Sequence, residues 1–68
     1  MKEYKMIDKF INLQDKSGNT ALHLAAKTDN SPCVKALLEY GADKRIENNK
    51  YQLAKNITGD LRIVILLK

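Results

Sequence analysis

Sixty-eight residues make at most one domain, and a chain this short buries only about 60% of its unfolded surface, near the lower limit of independent stability. Cys33 is the only cysteine and His23 the only histidine, which excludes an internal disulfide and leaves too few ligands for a zinc site, so neither metal nor cofactor is expected. The net charge of +4 comes mostly from ten lysines scattered from Lys2 to Lys68, an arrangement that argues against specific nucleic-acid binding.

The N-terminal stretch MKEYKMIDKFINLQ is interrupted by Glu3, Lys5, Asp8 and Lys9, so it lacks the apolar run of a signal peptide. Ile63 to Leu67, the longest strongly apolar stretch, is far short of the roughly 20 residues needed to cross a bilayer. A soluble protein is expected.

The first helical punctuation lies in SGNTALHLAAK, residues 17–27. Gly18 suits a turn with positive φ, and Thr20 stands where an N-cap belongs. Leu22, Ala25 and Ala26 recur at helical spacing, and Leu24 thickens that stripe. The spacing predicts a mostly buried helix of about nine residues, ending near Asp29-Asn30. Ser31-Pro32 then reads as a cap followed by proline at the first helical position. Val34, Leu37 and Leu38 repeat the apolar pattern, with Cys33 on the apolar side, and Gly41 is placed for a left-handed C-terminal cap. So short a connection predicts an antiparallel helical hairpin.

The polar run 42–52, ADKRIENNKYQ, is expected to connect this hairpin to a worn copy of itself. LAAK at 24–27 is echoed by LAK at 53–55, and VKALL at 34–38 by IVILL at 63–67, both at an offset of 29. Asp60 is a candidate cap for the last helix.

From Asp15 to Asp43 the chain resembles an ankyrin repeat, whose pattern runs roughly D-x-x-G-x-T-[PA]-L-H-x-A-A, then V-x-x-L-L-x-x-G-A-D. The matching residues are Asp15, Gly18, Thr20, Leu22, His23, Ala25, Ala26, Val34, Leu37, Leu38, Gly41 and Asp43. The resemblance implies an all-α fold of helical hairpins stacked as a short solenoid fragment. It divides the chain into a tail with the remnant of a preceding repeat at 1–14, one repeat over 15–47, and a degenerate partial repeat over 48–68. Tyr4 to Asp8 would be the last turn of the preceding repeat's helix, and Phe10 to Gln14 its connecting loop. It further implies that Thr20 and His23 bond to each other and to nearby backbone, so His23 fastens a turn. The rival reading, a Cys33–His23 hydrolase, needs a third orienting group that the sequence does not display. Paired carboxylates, a phosphate-cradling glycine loop and metal-ligand spacings are missing too, and no enzyme is expected.

The chain departs from the pattern in two places. Asp29-Asn30 stand where the family has Gly-His, and Pro32 replaces a common acidic residue. In the second copy about four residues are missing between Gly41-Ala42-Asp43 and Leu53-Ala54, and no T-[PA]-L-H follows. Either the finger loop is shortened or the helix-capping turn is lost.

The resemblance implies a protein–protein interaction module whose variable positions, Lys16, Ser17, Asn19, Lys27 and Thr28, face a partner. Lys16 and Lys27 would favour an acidic partner surface. Residues 61–67, apolar nearly all round, suggest marginal stability alone and self-association or docking on a partner. The alternative is a truncated remnant of a longer ankyrin-repeat protein with no independent function. The lone cysteine suits a cytoplasmic location, or the host cytosol if the source is an intracellular bacterium, as the Lys, Ile and Asn bias hints.

Overall fold

Thr20 starts the first helix as the sequence predicts: its backbone is extended, and its hydroxyl oxygen accepts the His23 N–H. The computed structural model describes residues 10–68, so the reading of Tyr4 to Asp8 lies outside the described residues. Within them are three α-helices and one 3-10 turn: α1 Ala21–Lys27, α2 Ser31–Glu39, the turn Ala54–Asn56, and α3 Leu61–Leu66. No strand occurs among the described residues, and no described helix is long and apolar enough to cross a membrane.

Helix α1 is shorter than expected, closing at Lys27 instead of Asp29-Asn30. The Thr28 hydroxyl turns back to donate to Leu24 O at 3.1 Å and Ala25 O at 3.2 Å, and Asp29 swings to φ 55°. Leu22, His23, Ala25 and Ala26 are buried, whereas Leu24 is 46% exposed. Two residues along a helix turn the side chain by about 200°, so Leu24 stands opposite Leu22 and does not widen its stripe.

The cap of α2 is Asn30, not Ser31: its Oδ1 accepts the Cys33 N–H at 3.2 Å, and Ser31 and Pro32 occupy the first two helical positions. Proline lacks only a donor that would be unpaired there anyway. Val34 is fully buried and Leu37 and Leu38 pack against the core, but Cys33 is exposed, contrary to its expected place on the apolar side. The helix ends as predicted at Gly41, φ 95°, with Gly41 N–H donating to Leu38 O and Ala42 N–H to Leu37 O.

The finger loop of the second half is complete, which corrects the expectation that residues are missing before Leu53. Asp15 N–H donates to Asn19 O and Gly18 N–H to Asp15 O; Asn48 N–H donates to Gln52 O and Tyr51 N–H to Asn48 O. Asn48 therefore repeats Asp15 at an offset of 33, the spacing that also separates Lys16 from Asn49. Ala54 then stands where Ala21 does, so the LAK echo at an offset of 29 is not a structural equivalence. What has been lost is helix. In place of α1 there is the single turn Ala54–Asn56, closed by the Leu53 N–H on Asn56 Oδ1 at 2.8 Å.

Helix α3 is capped by Asp60 as expected, its Oδ1 accepting the Arg62 N–H at 2.9 Å. Ile63 and Leu67 join Leu22, Ala25, Ala26, Val34 and Ala54 in one core that spans both halves. Leu61 and Ile65, one turn apart, remain 76% and 65% exposed.

The Arg62 backbone N–H on its carboxylate holds Asp60 below the ordinary value of 3.8. A carboxyl depressed on folding adds stability that is complete above its unfolded value and fades as pH falls through the lower folded one. Asp60→Asn, which keeps the cap acceptor but cannot titrate, is expected to flatten part of the acid-side loss in urea-melt midpoint between neutral pH and pH below 3.8. An acid limb identical to that of the parent chain would rule out this contribution.

Candidate functional site: the cleft between fingers and helix

The site is assembled around one imidazole. His23 Nδ1 accepts the Thr20 N–H at 3.2 Å and lies 2.9 Å from Thr20 Oγ1, which in turn accepts the His23 N–H at 3.3 Å. Across the junction, Nε2 lies 2.8 Å from Gln52 O. A carbonyl can only accept, so Nε2 carries the proton and Nδ1 is the acceptor of a neutral ring. The Thr20 hydroxyl then donates to Nδ1 while receiving the His23 amide. Both ring nitrogens are engaged and His23 is 1% exposed, while Cys33 is exposed. The ring has no lone pair left with which to draw a proton from a nucleophile.

The two fingers are zipped beside this ring by amide side chains. Asn49 donates its N–H to Ser17 O at 2.9 Å and its Nδ2 to Lys16 O at 2.8 Å. Asn48 Nδ2 reaches Asn19 Oδ1 at 2.9 Å, and Gln14 Nε2 spans both loops, donating to Gly18 O and Glu47 O. At the far end of the hairpins, Asp29 Oδ1 accepts the Thr58 hydroxyl at 2.7 Å. Among the described residues no buried side-chain nitrogen or oxygen lacks a hydrogen-bond partner. Asp29 and Asn30, the departures from Gly-His, thus serve as an inter-repeat acceptor and a helix cap.

Between the finger row and α1 lies a cleft of about 480 Å³. Four of the five residues read as partner-facing line it: Lys16, Ser17, Asn19 and Lys27. Thr28 does not, because its hydroxyl is bonded back onto its own helix. The second finger adds Asn48, Asn49, Lys50 and Gln52, and Ile57 supplies an apolar wall. Lys50 was not legible as a site residue, since Tyr51 replaces the glycine that would mark a second finger.

All the charged residues lining the cleft are lysines, namely Lys16, Lys27 and Lys50. None of them forms an ion pair with a described residue. Among the described residues the ion pairs are local: Arg45 with Asp43 at 3.2 Å and Arg62 with Asp60 at 3.5 Å. Asp43 lies below its ordinary carboxyl value because the Arg45 backbone N–H, and then its side chain, bonds the ionised form. Among the described residues no group of histidine, cysteine and carboxylate side chains is arranged to hold a metal.

The profile of a family described as ankyrin repeats in many copies matches residues 6–54. Regulatory protein SWI6 of Kluyveromyces lactis is 46% identical over 44 residues, 65% of this chain and 6% of that protein. A putative ankyrin repeat protein of Acanthamoeba polyphaga mimivirus, L92, is 44% identical over 50 residues, 74% of this chain and 11% of its own length. Neurogenic locus notch homolog protein 1 of Mus musculus is 50% identical over 38 residues, 56% of this chain and 2% of that protein. The chain therefore spans only a small part of each of these relatives.

Truncating the imidazole leaves Thr20 N–H and Gln52 O without their partner and opens a buried gap. His23→Ala is expected to cost about 3 kcal/mol, against about 1 kcal/mol for the cap variant Thr20→Ala. Urea titration followed by circular dichroism measures both. A His23→Ala chain that melts with the parent would remove the ring from its structural role.

Proposed function

The chain belongs to the ankyrin-repeat family, and from that premise we propose that it binds another protein in the cleft between its fingers and α1, with no catalysis of its own. Ankyrin repeats are in general protein-interaction modules, and the bonding of His23 supports the non-catalytic reading: the one imidazole is consumed in holding the fold.

The observation that carries the proposal is the charge of the cleft. Lysines contributed by both fingers and by the end of α1 surround it, without an acidic residue in the lining. Three like charges with no ion pair among the described residues favour a partner that brings carboxylates, by steering its approach and rejecting basic competitors. In this reading Lys16 and Lys27 face the partner, and Lys50, which lines the same cleft, joins them. Ser17, Asn19, Asn49 and Gln52 add polar edges that suit an extended acidic segment, while Ile57 offers one apolar contact. Thr28 is left out of this surface. Self-association through residues 61–67 remains a secondary part of the proposal, resting on exposed Leu61 and Ile65. A cytoplasmic setting is proposed on the same footing as before, from the unpaired Cys33.

A short glutamate-rich peptide is a direct probe. Titrated into the isotope-labelled chain, it is expected to shift the amide resonances of Lys16, Ser17, Asn49 and Lys50. Combined charge reversal (Lys16→Glu, Lys27→Glu, Lys50→Glu) should weaken binding by about tenfold or more at low salt. Shifts confined to the Lys44-Arg45 segment, or undiminished by the reversal, would place the acidic partner elsewhere.

A further inference from the structure

The two fingers share their backbone bonds but differ at the fourth residue. Gly18 holds φ 80° and Tyr51 holds φ 60°. A bulky L residue adopts that backbone only under strain, and such strain persists where it serves a purpose. Tyr51 is also 81% exposed, so packing against its own chain does not explain it.

The first finger shows what this position does. A Cβ on Gly18 would lie 2.5 Å from Asn49 Oδ1 and 2.6 Å from Asn49 N, closer than any real contact. The second finger stacks on the first only because residue 18 is bare. That approach lets Asn49 donate to Lys16 O and Ser17 O. The equivalent carbonyls of the second finger, Asn49 O and Lys50 O, meet no donor among the described residues. At the other end of the row, Lys16 N–H, the counterpart of the donating Asn49 N–H, meets no described acceptor. A donor at one end and acceptors at the other, each without a partner among the described residues, are edges from which a chain grows head to tail.

We propose that Tyr51 ends the row of fingers. Its side chain occupies the space that the backbone of a third finger would need. The edge is thereby closed to any further ankyrin-type finger, whether from another repeat or from a second copy of this chain. A partner at this end must have a different shape, and recognition is directed to the lysine-lined cleft. Natural sheet edges are blunted by the same logic, with a side chain that makes regular pairing sterically impossible.

Two substitutions in the full chain separate this role from mere exposure of an aromatic ring. Tyr51→Gly removes both strain and obstruction; Tyr51→Asn relieves strain and removes the ring but keeps a Cβ. Sedimentation equilibrium is expected to show Tyr51→Gly self-associating about tenfold more tightly than the parent or more, with Tyr51→Asn unchanged. Circular dichroism confirms folding. The proposal fails if Tyr51→Gly associates no more tightly than the parent, or if Tyr51→Asn matches it. A Tyr51→Gly chain that no longer folds would equally overturn it, by showing that the ring supports the finger instead of ending the row.

Discussion

The hydrogen bond from His23 Nε2 to Gln52 O is the constraint around which the molecule is organised. One face of the imidazole's bonding closes the turn before α1, and the other holds the second finger 29 residues away. A single buried ring thus converts a local cap into a long-range tie. The tie matters because the core of the described residues is small and leaves a small margin over chain entropy. Its directionality also fixes register: once Gln52 O is held, Asn48 and Asn49 fall opposite Asn19, Lys16 and Ser17.

The second half keeps its finger and the core residues that pack on the first half, while its first helix is cut to a single turn. Its finger is complete because the finger carries the amide zipper. Its first helix is reduced to one turn, yet Ala54 still enters the core and Asn56 still closes the Leu53 turn where His23 would stand. Asparagine caps the turn but is too short to bridge onward. The Thr58–Asp29 bond and the burial of Ile63 and Leu67 then seat α3 against α2 without a full helix between them.

Much of this was legible from residue types. Thr20, Gly41 and Asp60 act at the helix ends where their chemistry places them, and His23 works as the ankyrin resemblance implies. The second finger was hidden because its pattern depends on a glycine, and Tyr51 carries the same backbone angle at a strain that composition does not reveal. The site of the deletion was equally obscure: a gap in register says that residues are missing, not which element absorbs the loss. Leu24 and Cys33 were misplaced for a simpler reason. Short helices bury a narrow arc, and an apolar residue that falls off it, as Leu24 does opposite Leu22, is exposed whatever its hydropathy. Of the cleft lining, the positions of Lys16 and Lys27 followed from the motif frame, whereas Lys50 required knowing that a second finger exists.

The fold therefore rests on the protonation and placement of one ring, which holds in register the finger loops that line the cleft. Nitrogen-15 NMR of the imidazole tests this most directly. The account predicts a neutral ring bearing its proton on Nε2, with that proton protected from solvent exchange and coupled to the Gln52 carbonyl. A ring protonated on Nδ1, or one averaging rapidly between tautomers in contact with water, would contradict it.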